Sequence, residues 1–397
     1  MKHLFLTAIL MLSACISAHA EDEPTDETYY EMIQTAENYL DKVPDSGYAH
    51  YLRGFAYINL NRPELAVSDI AFAWEHLYIP NFEVPPVNML YYLADVVPEK
   101  VVEVLSPVER RLSRTLADDP WLVYHADMIL ARAYGRSGHW LAAASTYTQR
   151  ALEAIPYDKD QQYFLMALNF QANSWFNAGR PDKALQVMNR PEWTEETAEK
   201  RFMMRSLALR DLGRLDEAVS YMDSLAAQHP QSFDIITHRA SILSAAGHYD
   251  RAIDNFLSAI GIIKPLLVKY PTNAEAYVDV LLRMGKNREA MGDIKGAEAD
   301  YLTVLELRPD NLIALSRLHR RDEVLTRLAD LPAPLSDFDL AEIFADLGDD
   351  DQALLHLGNA FARQTINPLS VPYNLSLRRL TALPAYPATA ARFNPDN

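Results

Sequence analysis

The sequence predicts an all-α protein, an α-solenoid of helix–turn–helix repeats, on three observations. The first is internal self-similarity. Gly213 is followed five residues later by Ala218 and Gly247 by Ala252, and the two pairs lie 34 residues apart. Stepping back 34 residues from Ala218 reaches Ala184, with Gly179 five before it. A period of this length is that of a two-helix unit stacked on copies of itself. The second is the recurrence of this frame: Gly138 pairs with Ala143, Gly292 with Ala297 and Gly348 with Ala353, so six of the thirteen glycines hold one position. Asn61 and Ala66 fit the same slot, asparagine being the usual stand-in for glycine in a left-handed turn. The third is composition. The chain is 49% hydrophobic and 23% charged, enough for a large core, and strand-like alternation between turn dipeptides is scarce.

Each position of the frame has a physical reason. The glycine ends the first helix of a unit, where a left-handed C-cap costs it nothing. The alanine five residues on marks where the second helix crosses the first, and a larger side chain there holds the axes apart. Seven residues before the glycine stands another small residue: Gly54, Ala131, Ala172, Ser206, Ala240, Gly285 or Ala341.

Met1 to Ala20 reads as an export signal peptide: Lys2 and His3, an apolar run from Leu4 to Leu12, and Ala18-His19-Ala20 as a small-residue cleavage site. Leu12-Ser13-Ala14-Cys15 also resembles a bacterial lipobox, with Cys15, the only cysteine, as the lipidated residue. Either processing exports the mature chain, and cleavage after Ala20 leaves no cysteine for a disulfide or a thiolate site. Residues 21–28 form an acidic polar tail, and the solenoid is expected over 29–366. Thr28 to Val43 reads as one helix ending at Pro44, and a first repeat runs from about Ser46 to Trp74. The period then breaks, and about 75–120, with six prolines, reads as a degenerate or inserted helical pair. Repeats resume from about Leu122 to Pro156, Gln161 to Pro191, Ala198 to Pro230, Ser232 to Pro271 and Asn273 to Pro309. The second helix of the fourth of these is expected to run on through Lys269 with a bend at Pro265. Residues 310–330 read as a shortened pair, Leu335 to Gln364 as a last repeat, and 367–397 as a Pro-rich cap and tail. Asn374 to Leu383 is expected to add a capping helix over the last apolar face.

The runs Tyr51-Leu-Arg-Gly-Phe-Ala-Tyr57 and Gly292-Asp-Ile-Lys-Gly-Ala297 resemble tetratricopeptide repeats, and Pro44, Pro230 and Pro309 fall in that family's closing-proline slot. The resemblance covers roughly residues 30 to 365 with interruptions. It implies a fold and not a site, because the family is defined by packing positions.

No metalloprotease HExxH, GxSxG elbow, P-loop or dinucleotide fingerprint is present, and the eleven histidines lack metal-ligand spacing. The sequence therefore predicts no catalytic residue, no metal and no cofactor. A net charge of −17 argues against nucleic acid and against docking on anionic lipid, and favours basic or neutral partners. In a solenoid of this kind the positions three before, one after and five after the upstream small residue face the inner groove. They give Asn169, Asn173 and Asn177 in one repeat, Met128, Arg132 and Arg136 in the repeat before, and Met203, Leu207 and Asp211, with Arg210 beside them, in the repeat after. Three asparagines on one helical stripe point to a bonded partner, since asparagine is a poor helix former. The expected function is a non-enzymatic scaffold in the bacterial envelope that holds a protein or peptide in its concave groove at Arg132, Arg136, Asn169, Asn173, Asn177, Met203 and Arg210. The alternative is an outer-membrane lipoprotein of an envelope assembly or export machine, anchored through Cys15 and touching membrane only through that lipid.

Overall fold

The computed structural model describes residues 24–76, 86–115, 120–194, 198–267 and 269–394. The export signal and Cys15 lie outside the described residues. The described residues are helical with no strand, and they fall into two compact units, Met1–Ser137 and Gly138–Asn397.

In the first unit, α1 (Asp26–Leu40) lies on α2 (Gly47–Asn59), and α2 pairs with α3 (Pro63–His76). Ala36, Leu40 and Ala49 make the first core layer. The buried carboxylate of Asp69 on α3 fastens the hairpin by accepting from Arg53 Nε (2.7 Å) and by bonding His50 Nδ1 (2.6 Å) on α2. The Pro-rich stretch contributes α4 (Pro86–Val96) and α5 (Pro98–Thr115), which pack with α6 (Pro120–Arg136).

The second unit opens with α7 (Trp140–Ala142), which passes through a π-helical turn at Ala143–Tyr147 into α8 (Thr148–Ala154). Hairpins then follow in chain order: α9 (Gln161–Asn177) with α10 (Pro181–Met188), α11 (Ala198–Asp211) with α12 (Leu215–Gln228), α13 (Phe233–Ala245) with α14 (Tyr249–Ile263), and α15 (Ala274–Met291) with α16 (Ile294–Leu307). The shorter pair α17 (Leu312–Arg317) and α18 (Arg321–Ala329) precedes the last hairpin, α19 (Asp337–Asp346) with α20 (Asp350–Ala362). One continuous core runs from Phe176 through Leu209, Leu243 and Leu281 to Ala314.

Every slot of the repeating frame has the backbone its residue type implies. Gly138, Gly179, Gly213, Gly247, Gly292 and Gly348 all have φ between 72° and 86°, and Asn61 has φ 55°. The partner alanines from Ala66 to Ala353 are all buried. The shortened pair belongs to the same frame: His319 takes the left-handed turn (φ 55°) and the fully buried Val324 lies five residues on. The sequence masked that repeat because histidine and valine replace the glycine and alanine.

Two expectations are corrected. The helix of the 232–271 repeat stops at Ile263 and continues only as a 3-10 turn, Lys264–Leu266, because Pro265 has no N–H to donate. The capping helix over 374–383 does not form. Gln364 (φ 53°) stops α20, and the chain turns back as two 3-10 turns, Pro368–Tyr373 and Arg378–Ala382, before the short α21 (Tyr386–Ala390). Pro368, Pro372, Pro384 and Pro387 cut this segment into turns. Val371, Leu377 and Leu380 nevertheless bury completely against Ala341, Ala345, Leu357 and Phe361 of the last hairpin. The second unit also closes on itself: Trp140 Nε1 donates to Gln364 O (3.2 Å), and the Phe393 ring lies where a Cβ on Gly179 would be, 2.8 Å away.

Small residues at the crossings set how near the helices come. A Cβ on Gly285 would stand 2.5 Å from the ring of buried Tyr301, whereas one on Gly261 of α14 would meet nothing within 4 Å. Gly285→Ala is expected to destabilise by about 1–3 kcal/mol through overpacking. Gly261→Ala is expected to stabilise by roughly 0.5–1 kcal/mol through helix propensity. Urea unfolding followed by circular dichroism checks both signs.

Candidate functional site

The inner-face rule, carried forward to the small residues Ala240, Gly285 and Ala341, selects Ser241 and Ala245, Leu282 and Lys286, and Phe338 and Glu342 among its positions. All six line one cavity of about 320 Å³ in the second unit. Arg210, Arg283 and Asn287 add to its wall, and Tyr373, Asn374 and Leu375 of the carboxy-terminal segment close it. The inner face of this unit is thus a seat, and residues 367–393 of the same chain sit in it.

The seat holds that segment through hydrogen bonds that reach it from α9, α11, α14, α17 and α19. On α9 the carbonyl of Phe176 accepts from Asn367 Nδ2 (3.3 Å). On α11 the buried Asp211 carboxylate accepts from Ser370 Oγ (2.7 Å) and from its neighbour Arg210 Nε (2.7 Å). Arg210 also donates to Ser370 (3.1 Å) and lies over the Tyr373 ring. Burial, and then the Asp211 charge, raise the Tyr373 phenol above its ordinary value against the pull of Arg210. At α17, Arg317 bonds Ser376 Oγ (2.7 Å) while paired with Glu289 (2.6 Å) and Asp346 (2.8 Å). On α19, Glu342 accepts from Asn374 Nδ2 (2.6 Å), and at the start of α14 the Tyr249 hydroxyl accepts from Arg378 Nη1 (2.7 Å).

The residues singled out from sequence are placed as follows. Asn169 is exposed on α9, while Asn173 and Asn177 are half-buried and bonded to each other, Asn177 Nδ2 to Asn173 Oδ1 at 3.0 Å. Met203 is 52% exposed on α11 and Arg210 is engaged by the carboxy-terminal segment. In the first unit Arg132 and Arg136 converge on one carboxylate, Asp95 of α4, at 2.7 and 2.8 Å. Burial works to raise the Asp95 carboxyl, and the two guanidinium hydrogen bonds outweigh it and hold it below the usual range. Sequence reasoning missed Lys286, Glu342 and the seated residues Ser370, Tyr373, Asn374 and Arg378. One signal for the segment was available: residues 367–394 carry Arg378, Arg379 and Arg392 and no acid, in a chain of net charge −17.

Ser206 Oγ and His238 Nε2 lie 2.7 Å apart, as in a nucleophile–base pair. However, Ser206 is fully buried, and its hydroxyl also lies within hydrogen-bonding distance of the Phe202 and Met203 carbonyls (2.7 and 2.9 Å) of its own helix. No helix among the described residues is long and apolar enough to cross a membrane.

Paired helices in a period of 34, turned at left-handed glycines and stacked on a shared core, define a helical-repeat protein of the binding-scaffold class. Residues 203–266 and 278–311 match tetratricopeptide repeats, so the chain carries repeats of that family. No curated protein matches it. It aligns with solved structures at low identity. One is Naa15/Naa10 bound to HypK-THB (15% identity, 90% of this chain and 68% of that chain, TM-score 0.37). Another is the human IFIT1 dimer with m7Gppp-AAAA (14%, 90% and 86%, TM-score 0.39). A third is the P58(IPK) TPR domain (17%, 96% and 96%, TM-score 0.19). None of the three bears on what this chain binds.

His238 on α13 packs against Phe202 and Ser206 of α11, and burial, then the charges of Arg210 and Arg283, lower its value to about 3. In the unfolded chain it titrates near 6.5. Below pH 6.5 the unfolded state therefore takes up a proton that the folded state refuses. Stability falls by about 1.4 kcal/mol per pH unit from this group as pH drops towards 3. His238→Gln is expected to flatten that acid limb while leaving the behaviour above pH 7 unchanged, as read from urea midpoints between pH 4 and 8.

Proposed function

We propose that this protein is a non-enzymatic, exported scaffold of the bacterial envelope that binds protein or peptide partners along the inner faces of its repeats. The observation that carries the reading is the seat itself: five helices of the second unit present carbonyl, carboxylate, guanidinium and hydroxyl groups to the segment that returns over them. Such a surface is preorganised, so a partner orders only itself on binding. Placement in the envelope rests on the Met1–Ala20 pattern. The second reading, a lipoprotein of an assembly or export machine, rests on Cys15 being the lone cysteine and closing Leu12-Ser13-Ala14-Cys15. Lipid anchoring predicts that Cys15→Ser moves the protein from the membrane to the soluble fraction, and cleavage after Ala20 predicts no change.

Photo-crosslinkers at the exposed Asn169 and Met203 test the scaffold reading in the native host, with Leu302, 52% exposed on α16, as the control. A discrete adduct from the first two positions and not from Leu302 is the expected result. No adduct, or the same adducts from all three, would overturn it.

A further inference from the structure

We propose that Arg201, Arg205 and Tyr221 form a site for the phosphate group of a soluble ligand, on the side of α11 turned away from the seat. Counting along α11 gives the separation. Arg201 stands nine residues before Arg210, about two and a half helical turns, and Arg210 lines the cavity of the seat. The site is therefore distinct from the inner face, and the inference does not rest on the scaffold reading.

The geometry is that of two cations without a counter-ion. Arg201 and Arg205 are one helical turn apart, so like charges share one face of α11, an unfavourable arrangement in itself. Both side chains are half-buried. Arg205 lays its guanidinium over the Tyr221 ring of α12, 4.6 Å from the centroid, and makes no hydrogen bond or ion pair with a described residue. Arg201 makes one bond, from Nη1 to the Met188 carbonyl at the end of α10 (3.0 Å). The Nε of each guanidinium and the Tyr221 hydroxyl are buried with no hydrogen-bond partner among the described residues. Other half-buried arginines are treated differently: Arg53, Arg210, Arg239 and Arg317 each have a carboxylate oxygen at 2.6–2.7 Å. Glu217, which feels the Arg205 charge, is itself held by Arg214 at 2.6 and 2.7 Å.

A guanidinium keeps its proton at any working pH, so neither arginine escapes the cost by becoming neutral. Burial lowers the Arg201 guanidinium from its ordinary value, against the pull of the Tyr221 phenol and with the push of the Arg205 charge. Burial raises the Tyr221 phenol, and both guanidiniums act on it in the opposite sense, so the phenol keeps an O–H to donate beside them. The cluster thus offers positive charge and donors with no carboxylate. A phosphate monoester is the matching group: it carries close to two negative charges at neutral pH and three acceptor oxygens, and guanidinium groups bind it with paired N–H donors. One dianion balances both arginines, whereas a single carboxylate leaves one charge over. A soluble ligand is favoured over a lipid headgroup because the net charge of −17 repels an anionic bilayer as a whole, while a small ligand answers to the local field.

The test titrates the full chain with inorganic phosphate and with glycerol 3-phosphate by calorimetry, against sodium chloride of matched ionic strength. Saturable binding of both phosphates, and none of chloride, is the expected result. Arg201→Met and Arg205→Met keep most of the apolar stem and should each weaken binding roughly tenfold or more. The same change at the exposed Arg320 should leave it as it was. Without ligand, both variants should melt at the wild-type Tm or above it, since each removes an uncompensated charge. A fall in Tm with phosphate affinity intact would make the pair a packing feature and overturn the site. So would a wild-type chain that binds neither phosphate. Glutarate bound as tightly as phosphate would overturn the phosphate assignment in favour of a carboxylate partner. Capture by vesicles of phosphatidic acid, with no binding of the free phosphates, would overturn the soluble ligand.

Discussion

Close approach of paired helices at residues without bulk is the constraint from which the rest of the structure follows. Where Gly54 passes Ile70, and Gly285 passes Tyr301, there is no room for even one more carbon atom. The side chains that fill the far half of each crossing are therefore large and fully buried, and the hairpin angle is fixed by contact. Repetition of that angle brings successive first helices side by side, and their inner positions become a continuous surface. Groups far apart in sequence, such as Asp211, Arg317 and Glu342, then bond one returning segment.

Two of the charged groups on that surface are bonded within the protein. Asp211 is inaccessible but bonded on both oxygens, and Arg317 is shared among two carboxylates and a serine. Buried charges in such networks contribute little net stability, but leaving one partner unpaired costs several kcal/mol. A change that leaves Asp211 or Arg317 without its partners is therefore expected to be strongly disfavoured.

Much of the architecture was legible in the sequence because the packing constraint is periodic. Gly213 and Gly247, Ala218 and Ala252 declare it without reference to anything distant, and seven predicted turn residues have left-handed backbone. The repeat at His319 was hidden because two atypical residues filled the diagnostic slots. The inner-face rule was legible too, since positions such as Ser241, Lys286 and Glu342 follow from the same counting. What covers those positions was not. Residues 367–393 have no period, their prolines read as tail, and their hydrogen bonds cross up to 191 residues of sequence, as from Asn367 to Phe176. No local pattern encodes a contact of that span. For the same reason the pairing of Arg132 and Arg136 with Asp95, 37 and 41 residues earlier, was invisible until the helices were placed.

The closing bond from Trp140 to Gln364 spans 224 residues in a fold whose other contacts are mostly between neighbours. An open stack of repeats behaves as a one-dimensional chain of coupled units that can fray from its ends. A contact joining the first and last helices of the second unit removes those ends, so fraying of either terminal hairpin breaks bonds at the other. Topology then works against speed: hairpins with local contacts form early, and closure waits for the whole stack and for the last residues of the chain. The second unit thus trades rapid completion for cooperative melting.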